Sequence, residues 1–384
     1  MMSRATHAMK TSSVHNIVLT SISLCLTLLG LELAVRVHHG TVLQFQSSTA
    51  EPQNRIGRMV YHPRLGWVPR PGRFSSDWTS NVDASGVRSN GRSLSTTSRA
   101  ILAVGDSFTF GDEVEDRETW AAHLEDILNK RVVNAGVGAY GIDQAFLRAE
   151  LLLDTYDPDV VILSFISDDI NRTEYSYYPY GRGWKPYFEY GDGSLILRNV
   201  PVPQEPAPRG FQGFQTLRHV LGYSVLADAV LDRIARQWWQ NLPVIEQIHH
   251  DGEEVSADLL VRLDDLAKGR RSQFIAVALA TNGRIGGNTR LPNLVTRARK
   301  NGVTVLDLST EMLQLQPSRL QNLFLPGGHY SPAMNRSVAE RIAAFLEERG
   351  IRFSSEQSQA VYRNLGRSEV VPPDAGNSSV IPRS

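Results

Sequence analysis

The segment Ala103-Val-Gly-Asp-Ser-Phe-Thr-Phe-Gly111 puts a serine directly after an apolar strand pattern, at the mouth of a turn, which makes Ser107 a candidate nucleophile. Ala100-Ile-Leu-Ala-Val104 is short, apolar and partly β-branched, as a parallel strand buried on both faces is. Gly105 then lets the backbone turn sharply. Ligands of open α/β sheets bind at the carboxyl ends of the strands, so a serine at this point faces the expected cleft. The alternative is that Asp106 and Ser107 only cap the segment that follows. Three other segments sit where strands could deliver residues to the same edge: Asn134-Ala-Gly136-Val-Gly138-Ala-Tyr-Gly141, Ser167-Asp168-Asp169-Ile-Asn-Arg172 and Gly327-Gly-His329-Tyr-Ser-Pro332. A serine hydrolase needs a nucleophile, a histidine to take its proton and donors aimed at the developing oxyanion. Ser107, His329 and the amides near Gly136 are of the right types.

The elements that must position these residues can be read from periodicity. Trp120, Leu124, Ile127 and Leu128 recur at helical spacing before a short strand at Val132-Val-Asn134, and Ile142, Phe146, Ala149 and Leu153 precede the buried strand Val160-Val-Ile-Leu-Ser-Phe165. The alternation breaks after Arg172. It resumes with a strand at Phe274-Ile-Ala-Val-Ala-Leu279, a helix over 294–300 and a strand at Val303-Thr-Val-Leu-Asp-Leu308. Strand and helix in alternation imply a parallel sheet with right-handed crossovers and helices on both faces, an α/β/α architecture. The interval of about 173–272 is expected to be an insertion. Within it, 175–190 holds eight aromatics, and Gly191-Asp-Gly193 before Leu195-Ile-Leu197 predicts a β-hairpin. Those aromatics would form a sugar-stacking wall or lid, or the small core of the hairpin itself, and packing is the commoner use.

At 384 residues and 41% hydrophobic content, the chain can bury a full-sized core. Forty basic residues balance forty acidic ones, so no bulk charge draws it to nucleic acid. Cys25 is the only cysteine, which excludes an intrachain disulfide and a thiolate metal cluster. It lies in an apolar run from Ile17 to Val35 whose one charge is Glu32. Nineteen helical residues span about 28 Å, close to the hydrocarbon thickness of a bilayer, so residues 17–36 are expected to anchor the chain in a membrane. Arg4 and Lys10 precede the run, which favours a cytoplasmic amino terminus and an exported remainder, although Arg36 on the far side weighs against this. A cleaved signal peptide is the alternative, but no small-x-small site directly follows the run. The expected organisation is a tail at 1–16, the anchor at 17–36, a linker and irregular region at 37–99, the catalytic domain at 100–350 and a disordered end at 351–384.

Gly105-Asp106-Ser107, Asn134-Ala-Gly136 and His329 before a terminal helix, in this order across strand ends, resemble blocks of the SGNH (GDSL-like) hydrolase family of esterases and lipases. Pro63-Arg-Leu-Gly-Trp67, Asp83-Ala-Ser-Gly-Val-Arg88 and Tyr140-Gly-Ile-Asp-Gln144 look like a membrane-anchored bacterial branch of it. The resemblance covers roughly residues 100–350. It implies a five-stranded, flavodoxin-like parallel sheet, with Ser107 as nucleophile, His329 as general base, and the amides of Ser107 and Gly136 as oxyanion donors. It implies no metal and no cofactor. His219, His249 and His250, without metal-ligand spacing to partner carboxylates, are read as structural.

Two departures bear on mechanism. Where the family carries an oxyanion-binding Asn, this chain has Asp168, and an ionised carboxylate cannot donate to an oxyanion; a protonated one can. Where the family carries an Asp two or three positions before the histidine, this chain has Gly327 and Pro326. No nearby acid in the sequence replaces that Asp, and one from elsewhere could do so only through the fold. The expected function is hydrolysis of an ester, on an acylated cell-surface glycan or lipid, by a Ser-His site outside the membrane. Transfer of an acyl group to a surface sugar, and glycan binding without catalysis, are the alternatives.

Overall fold

The computed structural model describes residues 2–38, 57–75, 77–92, 99–178, 183–204, 213–239, 251–281, 289–313, 323–351 and 353. His249, His250 and nearly all of the carboxyl-terminal segment lie outside them. The chain divides into two compact units, one holding residues 1–57, 179–183 and 205–245, the other holding the rest.

In the smaller unit, α1 (Met2–His38) extends back through the residues expected as a tail. Its Val18–Val37 portion is long and apolar enough to cross a membrane. Among its described residues are also three short helices, α6 (Gln215–Leu221), α7 (Val225–Ile234) and α8 (Arg236–Trp239).

The larger unit opens with two antiparallel hairpins, β1 (Met59–His62) with β2 (Gly66–Pro69) and β3 (Gly72–Ser75) with β4 (Thr79–Val82). The irregular structure expected over 37–99 thus gives way to short strands; four residues interrupted by proline and arginine show too little alternation to register. The central sheet consists of β5 (Ile101–Val104), β6 (Val132–Asn134), β7 (Val160–Phe165), β10 (Gln273–Ala278) and β11 (Val305–Asp307). All four pairings are parallel, in the order β6-β5-β7-β10-β11. This is the flavodoxin-like order, and its switch point lies between β5 and β7.

Helices cover both faces, as the continuous apolar strands require. Ile101 and Ala103 face α3 (Trp120–Leu128) and, beyond the short α11 (Leu308–Leu313) in the chain, α12 (Pro332–Glu348), through Trp120, Leu124, Val338 and Ile342. Leu102 and Val104 face α4 (Ile142–Tyr156), α9 (Gly252–Gly269) and α10 (Arg290–Lys300), through Ile142, Leu153, Leu259 and Leu294. Each fully buried Leu or Ile contributes about 1.5–3 kcal/mol. The helix α9 is the crossover between β7 and β10, so the last part of the interval read as insertion belongs to the domain core. The expected hairpin is present as β8 (Tyr187–Gly191) with β9 (Ser194–Arg198). Of the aromatics at 175–190, Phe188 is buried edge-on against Phe146 and Tyr178 lies 6.0 Å from Trp67, whereas Tyr190 is exposed. Lys185 forms a fully buried ion pair with Asp143 of α4, tying the hairpin region to the domain.

Candidate active site

Ser107 opens a single helical turn, α2 (Ser107–Phe110), at the carboxyl end of β5. Asp106 caps it by accepting from the Phe108 amide at 2.9 Å, and Gly111 closes it in the left-handed conformation. The capping alternative therefore holds for Asp106 while Ser107 occupies the first helical position. Gly105, at φ 155°, admits no side chain, because a Cβ there would land on Thr109 Oγ1 and the Ser164 carbonyl. Gly136 is equally constrained: its Cβ would fall on the backbone of Thr109 and Phe110, so the loop after β6 lies flat against the Ser107 turn.

His329 reaches the same point from the loop before α12, a helix capped by Ser331 with Pro332 at its start. Its Nε2 lies 2.9 Å from Ser107 Oγ, although 222 residues separate the two. The imidazole packs against Phe108, with ring centroids 5.1 Å apart. On its other side Nδ1 lies 2.7 Å from Glu113 Oε2. The acid absent from the sequence before His329 thus comes from the nucleophile's own segment, six residues after Ser107.

Three hydrogen bonds seat the Glu113 carboxylate. The Gly327 amide donates to Oε1 at 2.9 Å, and the His329 amide and Nδ1 both meet Oε2. A Cβ at Gly327 would overlap the carboxylate, so any side chain there would push the acid out of its seat. The position where a family member would carry Asp is here the cradle for an acid arriving from another loop. Burial pushes the Glu113 carboxyl up, but the hydrogen bonds from His329 and Gly327 outweigh it and hold the group below the ordinary Glu range. An ionised carboxylate only accepts, so Nδ1 carries the proton and Nε2 presents its lone pair to the Ser107 hydroxyl.

The loop bearing Glu113 is organised by Arg88, the last residue of Asp83-Ala-Ser-Gly-Val-Arg88. Its guanidinium is buried, donates to the carbonyls of Phe110, Gly111, Val114 and Thr79, and pairs with Asp116 at 3.1 Å. These contacts bracket Glu113, which sits at φ 72°, a conformation that costs a non-glycine residue of order 1–3 kcal/mol. The other two sequence motifs buttress the cleft in the same way. Trp67 Nε1 donates to the Gly138 carbonyl at 3.0 Å, Tyr140 Oη to the Trp67 carbonyl at 2.6 Å and Gln144 Nε2 to the Leu65 carbonyl at 2.8 Å.

Asp168 is the second residue of α5 (Ser167–Arg172) at the carboxyl end of β7, across the switch point from Ser107, and is half-buried. The Gly136 amide donates to Asn134 Oδ1 at 3.2 Å, so it reaches an oxyanion only by sharing or exchanging that acceptor. Behind the serine, Arg172 bridges Asp169 and Asp106 and also donates to the Tyr140 carbonyl at 3.0 Å. Burial raises both carboxyls, and Arg172 offsets this with its charge. Among the described residues, no group of three or more His, Cys, Asp or Glu side chains is arranged to hold a metal.

No family model and no curated protein matches the chain. Solved structures similar to it include a lipase/acylhydrolase from Enterococcus faecalis, at 13% identity and TM-score 0.38, covering 66% of this chain and 97% of that one. An alpha/beta hydrolase enzyme from the metagenome of Lake Arreo, Spain, matches at 14% identity and TM-score 0.38, covering 67% and 97%. A variant of an acetyl xylan esterase from Geobacillus stearothermophilus matches at 15% identity and TM-score 0.35, with the same coverage. The strand order is flavodoxin-like, with Ser107 directly after the first strand of the parallel sheet.

Proposed function

We propose that this protein is a serine ester hydrolase whose triad is Ser107, His329 and Glu113. The observation that carries the reading is the continuous relay from Ser107 Oγ to His329 Nε2 at 2.9 Å and from Nδ1 to Glu113 Oε2 at 2.7 Å. Ser107 Oγ attacks the ester carbonyl as its proton passes to Nε2, and Glu113 stabilises the resulting imidazolium. The tetrahedral oxyanion is held by the amides of Ser107 and Gly136, with Asp168 at the edge of that position. Collapse expels the alcohol, which takes the proton back from Nε2, and leaves the acyl group on Oγ. Water then attacks the acyl-enzyme as Nε2 accepts its proton, and the second collapse releases the carboxylic acid and restores Ser107.

The substrate class follows from location. The helix α1 holds the enzyme in a membrane with its catalytic unit outside the cytoplasm, so acylated cell-surface glycan or lipid is within reach. The test uses the full chain in detergent with a fluorophosphonate probe. Labelling that is lost in Ser107→Ala, together with turnover of short-chain aryl esters that is lost in the same variant, is the expected result. No labelling over a broad pH range, with glycan binding retained, would replace the hydrolase reading by that of a binding module.

A further inference from the structure

The smaller unit contains a second apolar surface beyond the anchor. Glu32, in the last turns of α1, points its carboxylate at the start of α7: it accepts from Ser224 Oγ at 2.7 Å and from the amides of Val225 and Leu226 at 3.0 and 2.9 Å. Arg36, one turn later, pairs with Glu32 at 2.6 Å and donates to the Tyr223 carbonyl at 2.7 Å. An acid on a membrane-spanning helix is costly in hydrocarbon and tolerable where charge and hydrogen-bond donors meet it. These contacts fix the start of α7 at the level where α1 turns from apolar to charged.

The same unit is braced internally. Trp239 Nε1 donates to Asp228 Oδ1 at 2.7 Å, linking α8 to α7, and Arg218 of α6 donates to the Trp238 carbonyl at 3.2 Å. Apolar residues nevertheless point outward. Leu217 and Val220 lie along one side of α6, Phe214 precedes that helix as its cap, and Val230 and Ile234 recur four apart on α7. Phe214 is 68% exposed and Ile234 is 74% exposed, and water would not favour either. Among the described residues of the unit, the other exposed apolar surface is the aliphatic one of α1 itself.

We propose that α6 and α7 lie in the membrane interface beside α1, with these apolar faces in lipid, so that the protein is held by one spanning helix and one surface-lying helix pair. The proposal rests on the reading of α1 as an anchor. Continuity with that helix identifies a bilayer as the occupant, because the Glu32 and Arg36 contacts set α7 at the depth where an amphipathic helix settles. Tyr223, at the turn between α6 and α7, has the amphipathic character found at that level.

The experiment places nitroxide labels on the full chain in nanodiscs of phosphatidylethanolamine and phosphatidylglycerol. Cys25 of the wild type reports the anchor. Leu217→Cys, Val230→Cys and Ile234→Cys, each in a Cys25→Ser background, report the proposed face, and His219→Cys reports the opposite side of α6. Expected is a several-fold higher ratio of oxygen to aqueous nickel-chelate collisions at 217, 230 and 234 than at 219. With Cys25 in lipid, water-like ratios at 217, 230 and 234 would overturn the proposal and leave the anchor standing. Low collision with both reagents, with spin–spin broadening removed by dilution with unlabelled protein, would assign the face to a second copy of the chain and also overturn it. A water-exposed Cys25 would remove the anchor and the proposal together.

Discussion

Replacing Glu113 with glutamine keeps the shape of the side chain and removes its charge. Two placements of the amide are open. With the carbonyl oxygen at the Oε2 site, both His329 donors keep their acceptor and the amide nitrogen faces the Gly327 N–H; the reverse placement opposes two donors instead of one. The first is favoured, so the imidazole tautomer survives and the loss is mainly electrostatic. Two unit charges about 4 Å apart interact by about 4 kcal/mol at an effective dielectric of 20. The Glu113 side chain is 21% exposed, and solvent screening reduces this to about 2–3 kcal/mol. Lost from the imidazolium-bearing transition state, that is about a 30- to 160-fold fall in kcat. Glu113→Ala removes the orienting contact as well, and the fall should reach the order of 10⁴. The assay is turnover of a short-chain aryl ester at saturating substrate, normalised to folded protein. Wild-type kcat in both variants, with Ser107→Ala and His329→Ala inactive, would reduce Glu113 to a support for the histidine loop and refute the triad.

Other outcomes follow from the same geometry. Glu113 titrates below its ordinary value of 4.5 in the folded chain, so its contribution to stability is complete above that pH and is lost as pH falls through the lower folded value. The difference in Tm between wild type and Glu113→Gln should therefore be largest near neutrality and close in acid; a gap that widens on acidification would contradict the hydrogen-bonding account. Arg88→Met strands the Asp116 charge and the loop carbonyls, which should cost about 3 kcal/mol in denaturant unfolding and lower kcat through displacement of Glu113. Unchanged stability would mean that the loop holds itself. Asp168→Asn supplies an N–H donor where a carboxylate has none, so kcat should rise at neutral pH with KM little altered; a fall would show that the acid form donates at that position.

Much of this was legible in the residues. The strands β5, β7 and β10 are buried on both faces and announce themselves as continuous apolar runs, and Ser107, Gly136 and His329 stand at loops whose glycines and caps mark them. Glu113 was not legible, because its partner is 216 residues away and its neighbours are indistinguishable from it by type. Of the acids in Gly111-Asp-Glu-Val-Glu-Asp116, the fold uses Glu115 to start the next helical turn and Asp116 to hold Arg88. The available signal was indirect: two consecutive glycines before a candidate base leave room for a side chain from elsewhere. The helix α9 carries a plain signal in Val255, Leu259 and Leu263 at four-residue spacing behind the cap Asp251, and it belongs to the core although it follows a long insertion.

Taking the acid from the nucleophile's loop changes how the site is assembled. Ser107 and Glu113 belong to one segment, whose turn is closed by Gly111 and whose far side is fixed by Arg88. The distance between nucleophile and acid is therefore set by this segment and its Arg88 brace. His329 is delivered from the far end of the chain, and the loop that brings it also seats the acid, because its backbone amide and that of Gly327 bind the same carboxylate. A shift of the histidine loop would break the backbone contacts and the imidazole contact together. The bonds that place the base are thus the bonds that place its acid, and slack in one cannot be taken up without the other.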